Sequence, residues 1–389
     1  MNGRGGVARI GIDPALSVIA CTAGGIDPAA AKAVELLSHT GPTFNYHIAQ
    51  ARRRYVSARK PLLAEKEAVD SVFHVSPSER DVPSMKFWRP AGVASGEMLP
   101  ALVYLHGGGW TLGCLETYEP LCRQLANATG RVVIWVEYRL APEHPFPAAL
   151  EDTWNALEWV EANAGWIGID KAQIAIGGDS SGGNLAAVTA LAARDGLIAF
   201  KPQLQLLIYP CLDLTASQPS HAELAQGYLL TRELYAWYRA NYVGSFPDPT
   251  DWHLSPLFAE ELNDVAPAVV LYAGFDPLRD EAVVYSARLM DAGVAVEPIF
   301  FPGMMHGFIT MGKVIPAANV AVRRIAAAIE VDLVRPRELG QPGFLGLRKR
   351  LLSAIGVHDL ALPDETPPAR SAPTENTLSI VPALRRQLA

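Results

Sequence analysis

The segment that most constrains this chain is Gly178-Asp179-Ser180-Ser181-Gly182 together with what flanks it. Upstream, Ile174-Ala175-Ile176 is a short apolar, β-branched run that reads as a buried strand. Downstream, residues 184–194 are rich in Ala and Leu and read as a helix packed by its apolar face. A strand, a G-x-S-x-G turn and a helix form an elbow that pushes the serine oxygen into the open. The turn holds Ser180 in strained backbone, and the glycines on either side let neighbouring backbone come close. With 32 glycines in 389 residues, chance would supply such a pentapeptide in roughly one chain in ten. Its meaning therefore depends on the rest of the chain.

From about residue 70 to 334, apolar runs of strand length alternate with helical patterns. Strands are expected at 101–105, 132–136, 173–176, 204–208, 268–272 and 296–301, and helices at 152–163, 184–194, 280–292 and 317–334. This rhythm predicts an α/β fold, a mostly parallel sheet covered by helices on both faces. Residues 1–65 read as a mainly helical N-terminal segment with helices at 29–37 and 46–63, and the basic run Arg52-Arg53-Arg54 as a solvated helix face. The rhythm lapses at about 213–256, where 228–242 carries Tyr235, Trp237 and Tyr238. Such an aromatic helix either packs into the core or forms, with the N-terminal helices, a lid over an apolar pocket.

Fifty per cent hydrophobic residues in 389 can bury a large core. The net charge of −7 does not suggest nucleic-acid binding. No run of 18 apolar residues is present, so no membrane span is expected. Cys21, Cys114, Cys122 and Cys211 are too scattered for a disulfide framework, and no C-x-x-C metal spacing occurs. Val18-Ile19-Ala20-Cys21 has the look of a lipoprotein cleavage box, but Asp13 and Pro14 break the apolar stretch before it. The expectation is a cytoplasmic protein. Beyond residue 335 the composition shifts. Residues 344–357 form a short basic amphipathic segment, and 359–376, rich in Pro, Thr and charge, read as a disordered linker.

Acyl transfer by a serine needs a base, an acid to orient that base, and donors for the oxyanion. The chain order Ser, then acid, then His can be sought after successive strands. Ala268-Val269-Val270-Leu271-Tyr272 leads into Ala273-Gly274-Phe275-Asp276-Pro277-Leu278-Arg279-Asp280. Asp276 sits in the turn, while Asp280, the rival acid, is better placed as an N-terminal helix charge. The 296–301 strand leads into Pro302-Gly303-Met304-Met305-His306-Gly307-Phe308. Of the nine histidines, only His306 combines a post-strand loop with this order. Ser181 would supply one oxyanion N–H, and the glycines of His106-Gly107-Gly108-Gly109-Trp110 would supply others. No G-K-[ST] follows these glycines, which weakens a phosphate-cradle reading.

Five segments together resemble the hormone-sensitive-lipase family of α/β hydrolases, in its bacterial carboxylesterase branch. They are His106-Gly107-Gly108-Gly109, Tyr138-Arg139-Leu140-Ala141-Pro142-Glu143, Gly178-Asp179-Ser180-Ser181-Gly182-Gly183-Asn184, Asp276-Pro277-Leu278-Arg279-Asp280-Glu281 and His306-Gly307-Phe308. The resemblance spans about residues 70–330. It implies an α/β-hydrolase fold with a helical cap drawn from the N-terminal segment and the 213–256 insertion. It further implies hydrolysis of short- to medium-chain carboxylic esters with neither cofactor nor metal. The triad would be Ser180, Asp276 and His306, with Gly108, Gly109 and Ser181 as oxyanion donors and Gly107 as a further candidate. The expected partner is a small acyl ester, and a homodimer is compatible with the sequence without being demanded by it. Two departures stand out: Ser181 takes the place of the family's usual alanine, and the tail beyond 335 passes the usual domain end. An acyl amidase or deacetylase is the alternative enzyme. A ligand receptor on the same fold is opposed by the presence of His306.

Overall fold

The computed structural model describes residues 24–76, 81–94, 96–246 and 248–330. The box at Cys21, the basic segment at 344–357 and the linker at 359–376 lie outside them, as do the last four residues of the helix expected at 317–334. The first elements are helices α1 (Pro28–Ser38) and α2 (Ile48–Arg59), then strands β1 (Ser71–Val75), β2 (Met85–Arg89) and β3 (Leu99–Leu105). Next come α3 (Leu115–Thr129), β4 (Val132–Val136), α4 (Ala148–Ala162), β5 (Ile169–Asp179), α5 (Ser181–Arg194) and β6 (Gln205–Ile208). The chain continues through α6 (Arg232–Val243), β7 (Ala268–Phe275), α7 (Arg279–Asp291), β8 (Val296–Met305) and α8 (Pro316–Glu330). Shorter helical turns lie at Ala164–Ile167 and Pro219–Glu223.

The eight strands form one sheet in the order β1-β2-β4-β3-β5-β6-β7-β8. From β4 through β8 the pairs are parallel, with Val103 opposite both Ile134 and Ile176, and Leu271 opposite Ile299. The six expected strands are all present. The antiparallel β1 and β2 were not anticipated, and they extend the sheet at one edge. They are short, and β1 alternates exposed and half-buried residues, so neither shows the continuous apolar signature of a buried strand. The helix α3 was likewise not foreseen.

Strands β3, β4 and β7 are apolar along their whole length, yet strand residues divide by period two. Ala101, Val103 and Leu105 face a core shared with α4, α5 and α7, while Leu102 and Tyr104 face a second core shared with α1, α3 and α8. A sheet with helices on both faces needs this: each strand fills two cores at once.

Two helices sit apart from these layers. In α2, the basic run is not uniformly solvated. Arg53 is exposed, but Arg52 grips Glu143 with two hydrogen bonds of 2.9 and 2.7 Å and donates to the Thr111 and Ala141 carbonyls. Arg54 donates to the Thr40 carbonyl and stacks over the Tyr46 ring. In α6, begun by the Thr231 side-chain cap, the aromatic stripe divides between two faces. Tyr242 is buried and stacks on Trp110 with 4.0 Å between ring centroids. Trp237 and Tyr238 instead pack against Tyr55 of α2 and Leu112. Gly109 has a positive φ of 61°, and a Cβ there would collide with the Tyr238 ring. The loop after β3 and α6 therefore fit together only because this residue has no side chain.

Candidate active site

The elbow forms where β5 runs into α5. Ser180 has φ 56° and ψ −118°, a conformation that costs a non-glycine residue on the order of 1–3 kcal/mol. The surroundings hold it there. The Ser180 N–H donates to the Ile208 carbonyl, and its own carbonyl accepts from Asn184 and Cys211. A Cβ at Gly178 or Gly182 would collide with the Leu105 carbonyl oxygen, so these glycines let the elbow press against the end of β3. Asn184 Nδ2 donates to the Cys211 and Leu254 carbonyls at 2.9 and 2.8 Å, tying the two roots of the 213–256 insertion to the elbow helix.

Asp276 and His306 leave the ends of β7 and β8, and the sheet brings them to the elbow. His306 Nε2 lies 2.9 Å from Ser180 Oγ, and His306 Nδ1 lies 2.8 Å from Asp276 Oδ2. Asp276 is fully buried, and its second oxygen accepts the Leu278 N–H at 2.8 Å. A carboxylate fixed from both sides holds the imidazole ring in place and favours the tautomer with the proton on Nδ1. Nε2 is then left to accept a proton from the serine. The rival Asp280 is engaged elsewhere, with Arg279 Nε 2.7 Å away and the Ser220 N–H donating at 3.0 Å.

Ser180, Ser181, His306, Gly108 and Gly109 line one small cavity of about 60 Å³. Gly108 and Gly109 both have positive φ, at 113° and 61°. Among the described residues, neither N–H is taken by a protein acceptor. Gly107 stands apart, because its N–H donates to Asp179 Oδ1 at 2.8 Å and it does not line the cavity.

Asp179 was missed in the sequence, although it precedes the serine. It is buried, with Oδ1 accepting from the Tyr104 hydroxyl at 3.0 Å as well as from Gly107, and Oδ2 accepting from the Tyr118 hydroxyl at 3.0 Å. Burial pushes its carboxyl above the usual range, opposed by these hydrogen bonds and by His306. Asp179 thus clamps the glycine loop to the elbow. Tyr104 and Tyr118 are 75 and 61 residues away in sequence, so no local pattern announces the contact. Tyr55 and Arg59 of α2, which also line the cavity, were not singled out either.

His106 opens the same glycine loop but plays a different part. It is stacked on Tyr138 with 4.3 Å between centroids, and its Nδ1 sits 2.8 Å from the Gly107 carbonyl. Burial lowers its pKa to about 4, which keeps it a neutral wedge under the loop. Among the described residues, no group of three or more His, Cys, Asp or Glu side chains could hold a metal ion, and no helix is long and apolar enough to cross a membrane.

A family model described as alpha/beta hydrolase fold matches residues 102–310. Carboxylesterase NlhH of Mycobacterium tuberculosis is 37% identical over 329 residues, covering 83% of this chain and 97% of that protein. Ethyl acetate hydrolase of Pseudomonas putida is 36% identical over 288 residues, covering 73% and 90%. The solved esterase of Pyrobaculum calidifontis superposes with a TM-score of 0.72 at 36% identity, covering 80% of this chain and all of that one (100%). The sheet order, the elbow and these matches agree, and the chain belongs to the hormone-sensitive-lipase family of α/β hydrolases, in its bacterial carboxylesterase branch.

Proposed function

We propose that this carboxylic ester hydrolase cleaves short- to medium-chain esters through an acyl-enzyme on Ser180. The observation that carries the reading is the continuous chain from buried Asp276 through His306 to Ser180, with contacts of 2.8 and 2.9 Å. His306 Nε2 takes the hydroxyl proton as Ser180 Oγ attacks the ester carbonyl. Asp276 orients the ring and stabilises the imidazolium that forms. The oxyanion is held by the N–H groups of Gly108, Gly109 and Ser181, which are fixed before the substrate arrives. Collapse of the tetrahedral intermediate breaks the bond to the alkoxide, which leaves with the proton from His306. Water then attacks the acyl-enzyme by the same route in reverse.

The helices α1 and α2 and the 213–256 insertion act as the cap, supported by Tyr55, Leu229, Leu234 and Tyr238 lining the cavity beside Ser180. A volume of about 60 Å³ at the serine favours short acyl groups. A cytoplasmic site of action belongs to the same proposal, in keeping with the free thiols of Cys114, Cys122 and Cys211. The test is a p-nitrophenyl ester series from acetate to dodecanoate. The reading expects kcat/KM to peak at C2–C6 and fall beyond; a maximum at C10 or longer would overturn the assigned chain length.

A further inference from the structure

The small cavity at Ser180 does not end at the cap. A second cavity of about 440 Å³ lies under α1, α2 and the start of α6. Tyr55, Arg59, Leu229, Leu234 and Tyr238 line both. With only about 60 Å³ beside the serine, the outer chamber behind this shared wall offers room for the second half of an ester. Its size falls in the usual range for a small-molecule site, roughly 300–1,000 Å³.

The wall is apolar or aromatic except at Arg59. Several arginines of the fold are held by carboxylates: Arg52 by Glu143, Arg123 by Glu119, Arg139 by Asp152 and Arg194 by Asp195. Arg59 is half-buried and, among the described residues, pairs with no carboxylate. Its guanidinium instead lies 3.9 Å from the centroid of the Tyr55 ring. Stacking holds the planar group in one place while leaving its N–H edge open. Arg54 also lines the outer chamber, so its charged lining residues are two arginines and one carboxylate, Glu233. That carboxylate is already engaged, with Gln226 Nε2 donating to both its oxygens at 2.8 and 2.9 Å. The charged residues lining the chamber thus leave it with a net positive wall.

We propose that Arg59 is a specificity-determining residue that selects esters carrying a carboxylate in the half that occupies the outer chamber. The substrate class is a short-chain acyl ester of a hydroxy acid, with the acyl group at Ser180 and the distal carboxylate on Arg59. A fixed guanidinium offers two N–H donors to a carboxylate, and a partly desolvated pair of this kind is stronger than an exposed one. The inference rests on the esterase reading above, and its test separates the two.

Wild-type protein is first checked for cleavage of p-nitrophenyl acetate; no cleavage would sink the esterase reading itself. The enzyme is then given acetoxy acids with four-, six- and eight-carbon hydroxy-acid halves, each beside its carboxamide counterpart. The quantity read is the ratio of kcat/KM for acid over amide. We expect a ratio of about 10 or more at one of these lengths, falling severalfold between 0.05 and 0.5 M salt. In Arg59→Gln it should drop to about 1 and lose its salt dependence, while Arg59→Lys should keep part of it. Taking a ratio cancels any general damage from removing the stacked side chain. A wild-type ratio near 1 at every length, or the same ratio in Arg59→Gln, would overturn the proposal.

Discussion

Two histidines of this chain begin from the same local sequence. His106 and His306 each follow a strand of the sheet and each precede glycine. Their surroundings make them opposites. His306 receives a buried carboxylate on one nitrogen and a serine hydroxyl on the other. His106 receives aromatic faces, with Trp135 and Tyr138 rings 5.4 and 4.3 Å away and a backbone carbonyl on Nδ1. Charge is refused at the second, where burial lowers the pKa to about 4. A strand followed by His-Gly is thus not a catalytic signal. The partner that arrives from another strand decides the role.

The two sites can be pulled apart by substitution. Replacing His306 by Ala should lower kcat on p-nitrophenyl acetate by about 10⁴–10⁶-fold, since the serine loses its base. Asp276→Asn should cost about 10³–10⁴-fold, because an amide no longer enforces the tautomer with the proton on Nδ1. A smaller loss there would mean that the imidazole is oriented by something other than Asp276. Asp179→Asn should lower kcat by roughly 10- to 100-fold with little change in KM, the cost of loosening a charged clamp on the oxyanion loop. An equal rise in KM would instead make Asp179 part of the binding pocket.

The smallest kinetic effect is expected at His106, where the readout is stability. In the folded chain its imidazole stays neutral down to about pH 4, whereas the unfolded one takes up a proton near 6.5. Between these values the unfolded state binds more protons, so this group removes stability as pH falls from about 6.5 to 4. The loss is on the order of 3 kcal/mol at most. Denaturant titrations across that window should show a shallower acid loss for His106→Phe than for the parent. Identical slopes would show that His106 is not held neutral.

Much of this architecture was legible in the residues. Strands β3, β4 and β7 are continuous apolar runs, and the other expected strands carry shorter ones, because each fills a core on both faces of the sheet. Ser180, Asp276 and His306 were picked out because each sits just beyond such a run, and the sheet brings the three together. What the residues did not disclose depends on contacts distant in sequence. The strands β1 and β2 are short, and neither is a continuous apolar run: β1 is largely exposed and β2 interleaves Lys86 and Arg89 with buried residues. Asp179 looked like the variable position of a motif until Tyr104, Tyr118 and Gly107 were seen to converge on it. The Arg52-Arg53-Arg54 run read as one solvated face, yet only Arg53 is exposed, since the partners Glu143 and Thr40 come from separate loops. Gly107 was grouped with its neighbours, but its N–H faces Asp179 rather than the cavity.

The central claim is that Ser180 Oγ, and not the adjacent hydroxyl of Ser181, forms the covalent acyl bond. It is tested most directly by treating the protein with a p-nitrophenyl alkylphosphonate, which forms a stable adduct on an activated serine, and mapping the adduct by peptide mass spectrometry. The account predicts one adduct per chain, on Ser180, in step with loss of esterase activity, and no adduct in Ser180→Ala. An adduct on Ser181, or full labelling and activity in Ser180→Ala, would contradict it.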